Sequence, residues 1–345
     1  MTYTWTDDAM KSGTVCNVDT VNDNLMYLKN NKPLNPYNKR LKGLLDWSNI
    51  VYDKYWTTNT ITVGTNPSAC CYIPTVDKIA VTNQSSANVM FVNSAGTVTN
   101  TITVGSTPHG CCYIPTVDKV AVANSTSGNV MFVNSAGTVT NTITVGSAPY
   151  GCCYIPTIDE IAVTNQSSGN VMFVNSAGTV TNTITVGSAP YGCCYIPTVD
   201  KVAVINNSAN TVMFINSAGT VTNTITVGSA PDMRSCCYIP TTDEIIITRY
   251  GDSTVTFINS SGTITRGITI LNGPGGCCYI PTVDRVIVTR LGNNTIDFIN
   301  SATKTVTNTI TVGFTGPNGC CYIPTVDKVM VTNNNSNTVM FISGI

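Results

Sequence analysis

Cys70-Cys-Tyr-Ile-Pro-Thr75 is one of seven copies of a hexapeptide whose other copies begin at Cys111, Cys152, Cys193, Cys236, Cys277 and Cys320. Successive copies are 41 or 43 residues apart. A unit of that length with four short strand-like runs is the repeat expected of one blade in a circular array of sheets. The unit beginning at Gly151 shows the four runs. Gly151 to Pro156 is apolar between a Gly and a Pro and reads as an inner strand, followed by a turn in which Asp159 is placed to accept backbone N–H bonds. Glu160 to Asn165 reads as a second strand, Val171 to Asn175 as a third, and the Thr-rich run from Thr179 to Gly187 as an outer fourth. Pro falls at strand ends and Gly at turns, where each is tolerated.

The ends of the array predict how it closes. The last unit stops after its third strand, at Thr338 to Ile342, whereas Thr57 to Gly64 is an orphan copy of the fourth strand standing before the first Cys-Cys pair. Folded chains avoid unpaired sheet edges. The orphan is therefore expected to complete the last blade, giving an all-β, seven-bladed β-propeller of four-stranded blades over residues 53–345. A separate helical segment is expected over 1–52. There Val18, Val21, Leu25 and Leu28 are spaced as an a/d stripe, with Asn17 as a cap and Pro33 beyond the end, and a second short helix is expected from Asn38 to Trp47. Two heptads are too short to be stable alone. The stripe either docks on its own propeller or joins other copies or a larger structure, with a homo-oligomer the expected outcome.

Charged residues make up 10% of the chain and the net charge is −1, against about 25% charged in ordinary domains. A nucleic-acid binder needs a basic face, so that class of partner is not expected. The N-terminus lacks the basic start and apolar run of a signal peptide, and no stretch approaches the ~20 apolar residues of a membrane span. The chain is expected to be made in a cytoplasm without standard secretion. Neighbouring residues of a strand point to opposite faces, so the two sulfurs of each Cys-Cys pair are badly placed to bond each other or to hold one ion. They are expected to be buried thiols packed between blades, with no metal and no cofactor. The alternative is a ring of thiols along the central channel that takes a soft metal.

Comparison among the seven units separates a uniform face from an individual one. The turn Pro-Thr-x-Asp and the turn after the third strand recur. The loop before the first strand instead carries Ser68, His109, Tyr150, Tyr191, Asp232-Met233-Arg234, Gly275 and Asn318 in turn, and the loop after the second strand changes to Arg249-Tyr250 and Arg290-Leu291 in units five and six. In an up-and-down blade these two loops emerge on the same face. Arg and Tyr are types that anchor interfaces, so Asp232, Met233, Arg234, Arg249, Tyr250 and Arg290, with His109, Tyr150 and Tyr191, are the candidate contact residues for a sugar or an acidic surface. Methionine precedes the repeated phenylalanine of the third strand in five units, but Thr256 and Asp297 replace it in units five and six. One histidine and seven turn aspartates assemble no acid–base pair or activated nucleophile, and an enzyme is not expected.

The run Val-Gly-x-x-Pro-x-Gly at Val104 to Gly110, with Ile-Ala-Val-Thr-Asn at Ile79 to Asn83, resembles the YVTN repeat of surface-layer and periplasmic seven-bladed propellers. It departs from that pattern in the Cys-Cys pair and the short Pro-Thr-Val-Asp turn, and the family implies no single activity. The N-terminal segment, with Tyr3, Trp5 and Asn24-Leu25, resembles the attachment region of bacteriophage tail fibres and receptor-binding proteins. That resemblance implies a virion protein, built into the phage tail with other virion proteins through residues 1–52, whose propeller presents a face to a host-surface glycan or protein. The alternatives are a bacterial cell-surface or exported propeller that binds protein or glycan, and an intracellular scaffold.

Overall fold

The computed structural model describes residues 57–228, 233–311 and 313–344. Among them are seven antiparallel four-stranded sheets. Six are built from consecutive strands, as in Pro67–Ile73, Lys78–Asn83, Asn88–Asn93 and Val98–Thr103. The seventh takes Pro317–Ile323, Lys328–Asn333 and Thr338–Ser343 from the C-terminal end and Thr57–Thr62 from the other end of the ring. The orphan strand lies antiparallel to Thr338–Ser343 in the register Thr57↔Ser343 to Thr62↔Thr338. The expected closure is thus present strand for strand. Inner strands start earlier than the apolar run suggests, at Pro149 rather than Gly151, because a β-bulge between Pro149 and Cys152 lets the chain enter the sheet obliquely. The helical segment expected over 1–52, with Val18, Val21, Leu25 and Leu28, lies outside the described residues.

Alternation along the strands explains where the core sits. The seven phenylalanines of the third strands, Phe91 to Phe341, are at most 2% exposed. They lie in hydrophobic clusters that each draw on two consecutive blades, for example Phe91, Ile102 and Val104 with Val120, Val122 and Val133 of the next blade. Replacing such a buried ring by Ala costs about 3–5 kcal/mol.

Every residue of the Cys-Cys-Tyr-Ile-Pro-Thr-x-Asp motif has a place on the uniform face or beneath it. The isoleucine is buried to 1% or less in every blade. The aspartate adopts a left-handed backbone, with φ between 48° and 53° in all seven turns, a conformation Asp tolerates better than most residues. In five of the seven turns its carboxylate gathers three hydroxyls. At Asp118 these are Tyr113 of the same strand (2.9 Å), Ser135 of the next turn, and Thr75 of the preceding blade (2.5 Å). The threonine-to-aspartate bond recurs at every blade boundary, and Thr325 to Asp77 (2.5 Å) completes the circle. These hydroxyls hold the carboxyls of Asp77, Asp118 and Asp159 below their ordinary range, the serine bond contributing most.

The closing strand supplies a direct test. Residues 65–345 should expose the edge of Thr338–Ser343 and aggregate, whereas residues 51–345 should remain a monodisperse β-rich ring by light scattering and circular dichroism. Equal melting of the two fragments would contradict the pairing.

Candidate functional site: the mouth of the central channel

The bulge at the start of each inner strand turns one residue toward the axis of the ring. Bulges commonly re-aim side chains beside functional sites. Here the re-aimed positions, Ser68, His109, Tyr150, Tyr191 and Asn318, rim a cavity of about 160 Å³ on the individual face. Small residues behind them are required by the crowding of the inner strands. A Cβ at Gly110 would lie 2.6 Å from the Tyr150 carbonyl oxygen, and one at Gly151 equally close to that of Tyr191. Threonines of the second strands fix the rim from behind: Thr82 Oγ1 donates to the His109 carbonyl (2.7 Å) and Thr164 Oγ1 to that of Tyr191 (2.6 Å).

Three rim residues from consecutive blades form one aromatic arc. The ring centroids of His109 and Tyr150 are 3.9 Å apart with planes inclined at 27°, and those of Tyr150 and Tyr191 are 3.6 Å apart at 36°. The hydroxyl of Tyr191 donates to that of Tyr150. Burial pushes the His109 imidazole down to about 4, so it is neutral near pH 7. Gln84 Nε2 lies 2.8 Å from His109 Nδ1 and is a donor, which places the ring proton on Nε2. The arc therefore brings a stack of aromatic rings, with Tyr150 between His109 and Tyr191, together with a tyrosine hydroxyl and an imidazole N–H to the channel mouth, which Ser68, Gly276, Asn318 and Gly319 also line. The cavity is small beside the ~300–1,000 Å³ of drug-sized sites. It suits one ring or one sugar unit.

The other expected contact residues are not gathered there. Arg249 is 8% exposed, pairs with Asp252, and lies over Gly228 where the corresponding earlier blades bury an asparagine. Arg290 likewise replaces that asparagine; its Nε donates to the Leu271 carbonyl (2.8 Å) and its Nη1 to both oxygens of Asp297 (3.3 and 3.2 Å). Asp297 is 2% exposed. Methionine gives way to Asp297 in the sixth blade because a buried guanidinium there needs a counter-charge. Both arginines are thus turned into their blades and do not make the open patch the sequence suggests. Tyr250 packs beside Gly273. Asp232 and the side chains of Met233 and Arg234 lie outside the described residues. The sequence reading missed Gln84, Thr82 and Thr164 as supports of the rim; only the variation of the loop after the second strand hints at Gln84.

No group of three or more His, Cys, Asp or Glu suited to a metal ion occurs among the described residues, and none of their helices is long and apolar enough to cross a membrane.

No family model and no curated protein sequence matches the chain. Solved structures do resemble it. A chain described as Kuenenia stuttgartiensis hydrazine synthase superposes with a TM-score of 0.74 at 17% identity, over 81% of this chain and 96% of that one. A virginiamycin B lyase from Staphylococcus aureus superposes with a TM-score of 0.73 at 13% identity, over 84% and 99%, and a catalytically inactive variant of it with quinupristin does so equally well at 14% identity. A streptogramin B lyase gives 0.72 at 11%. At these identities the likeness shows the seven-bladed fold. It also corrects the expectation that the chain is not an enzyme. Propellers of this shape include lyases, so the ring architecture and the want of a familiar catalytic constellation are no argument against catalysis.

His109 is the chain's one histidine, which makes its titration readable. Its folded pKa lies below its ordinary 6.5, so the stability it allows is complete above pH 6.5 and falls as pH drops toward 4. The histidine proton resonance should stay in its neutral position down to about pH 5, and a His109→Phe variant should lose the decline in melting temperature between pH 6.5 and 5. A midpoint near 6.5 in the folded protein would contradict the burial of the arc.

Proposed function

We propose that the chain is a surface-recognition protein in which the channel mouth on the individual face of the propeller takes one sugar unit, or a ring of similar size, of a host-surface glycan or glycoprotein. The aromatic arc His109–Tyr150–Tyr191 carries the reading. Sugar rings carry apolar C–H patches that pack against the rim of an aromatic stack, and the Tyr hydroxyls and the His109 N–H supply the few polar groups that orient a ligand in a small pocket. The low charge of the chain suits a neutral ligand. The YVTN-type reading of the repeats and the phage reading of the N-terminal segment belong to the same proposal: residues 1–52 seat the protein in a virion or bring copies together, and the propeller meets the host. A repeated, weakly charged domain behind a short separate segment supports this.

Replacing Tyr150 and Tyr191 together by Ala should weaken binding to host cells or to an immobilised glycan panel by about 2 kcal/mol or more, roughly thirty-fold in Kd. Lys119→Ala with Lys201→Ala, on the uniform face, should leave binding unchanged. Equal loss in both variants, or none in the first, would sink the reading. Chemical change of a bound glycan, abolished by His109→Ala, would replace recognition by catalysis at the same mouth.

The attachment half has its own test. Val21→Asp with Leu25→Asp should abolish particle incorporation or self-association while leaving the β-rich circular dichroism intact. Unchanged assembly by light scattering would remove residues 1–52 from that role.

A further inference from the structure

Each of the seven inter-blade cores holds two cysteines, one from each blade. Cys71 shares its cluster with Cys111, Cys112 with Cys152, Cys153 with Cys193, and Cys194 with Cys236. Cys237 with Cys277, Cys278 with Cys320, and Cys321 with Cys70 complete the circle. In every such pair the partner thiol is near enough to raise one member above its ordinary range. Cys112 meets Cys152, whose S–H donates to the Ala121 carbonyl at 3.8 Å, and Cys153 meets Cys193, which donates to that of Ala162 at 3.8 Å. Adjacency in sequence thus conceals the real pairing. The two cysteines of one blade serve two different interfaces, as alternation along a strand dictates.

Packing alone does not require sulfur at all fourteen positions. Buried sites of the adjacent second strands vary between blades: the place of Ala80 is taken by Ile246, Ile287 and Met330, and that of Thr82 by Ala123 and Ile205. The cysteines never vary, and no interface has only one. In three pairs the channel-side member is the more accessible, whereas in the Cys237–Cys277 pair the order is reversed. Cys111, Cys152, Cys193 and Cys236 line the channel cavity, whereas Cys112 and Cys194 lie behind the inner strands at 9% and 8% exposure.

We propose that the fourteen cysteines are seven inter-blade disulfide sites, closed by exchange with a small-molecule disulfide once the protein leaves a reducing compartment, and that closure turns the propeller into a covalently locked ring. The channel-facing cysteine, as thiolate, attacks one sulfur of the disulfide RSSR. One RS⁻ leaves and takes up a proton, and a mixed disulfide remains on the protein. The partner cysteine of the preceding blade then loses its proton, attacks the protein sulfur of that mixed disulfide and expels the second thiol. Two protein thiols are oxidised to one disulfide while RSSR is reduced to two RSH. Thiols packed in the same inter-blade cluster must close to the ~2.05 Å bond. The partner thiol first, and then burial, push the Cys71, Cys112 and Cys153 thiols up, so closure is slow near pH 7 and quickens as pH rises. The Cys70–Cys321 bond has a particular consequence, because it joins Pro67–Ile73 to Pro317–Ile323 and so spans a closure otherwise held only by the pairing of Thr57–Thr62 with Thr338–Ser343.

The test uses the full chain, purified with dithiothreitol and then exposed to oxidised glutathione at pH 8 without denaturant. After alkylation of remaining thiols, peptide mapping should recover the links Cys71–Cys111, Cys112–Cys152 and their equivalents, including Cys70–Cys321. The oxidised ring should melt about 5 °C or more above the reduced one, a gain that dithiothreitol abolishes. A Cys70→Ala, Cys321→Ala variant, which folds without needing that bond, should lose that link and keep the other six. Glutathione adducts without internal links, links between the two cysteines of one blade, or full oxidation without a rise in melting temperature would each overturn the proposal. None of these outcomes depends on what the channel mouth binds.

Discussion

A blade has two apolar faces and only its neighbours to cover them. That constraint, burial by adjacent copies alone, underlies most of what the chain does. It makes the phenylalanine of each third strand and the isoleucine of each inner strand indispensable, since both lie in clusters shared by two blades. It also leaves no tolerance for an end. A linear array would expose one face of the first blade and one of the last, together with two sheet edges. Pairing Thr57–Thr62 with Thr338–Ser343 removes both defects at once, and the hydrogen bond from Thr325 to Asp77 extends the closure to the uniform face.

The same constraint divides the two faces of the ring. On the face that carries the Pro-Thr-x-Asp turns, every blade must present a hydroxyl to the carboxylate of the next, so a substitution in one turn disturbs two blades. That face is uniform for a mechanical reason. On the opposite face the inner strand enters through a bulge, and the re-aimed side chain contacts the axis instead of the neighbouring sheet. Side-chain hydroxyls of Thr82 and Thr164 donate to the carbonyls of His109 and Tyr191 and hold the rim whatever side chain it carries. Side chains there are released from the ring's demands, and only there can seven near-identical blades build an asymmetric site.

The fold was legible because its determinants are local and repeated. Period, alternation and turn residues specify a blade, and counting strands at the two ends specifies closure. The site was legible only in part. Loop comparison picked out His109, Tyr150 and Tyr191, which the ring brings together as the arc, but it weighted arginine by type and could not see direction. Arg249 and Arg290 differ from the other blades as conspicuously as the tyrosines do, yet they fill the slots of buried asparagines and are neutralised within their own blades. The cysteines were read correctly as thiols packed between blades, but which thiol meets which was not legible. Alternation correctly separated the two sulfurs of a pair, but pairing across an interface is a property of two blades 41 or 43 residues apart, which no single unit displays.

Differences between repeats therefore carry two kinds of meaning, and burial separates them. A changed residue that brings a compensating change in the same blade, as Arg290 brings Asp297, is a repair of the core and says nothing about partners. The Arg290–Asp297 pair illustrates the rule energetically, since an unpaired guanidinium at that depth would cost several kcal/mol while a paired one is tolerated. A changed residue that has its counterparts in neighbouring blades at the axis, as His109 has Tyr150 and Tyr191, forms contacts that exist only because the ring is closed. The arc is a property of the assembled ring, absent from any blade taken alone, and its three members are the positions at which this chain departs from seven-fold symmetry to make a surface of its own.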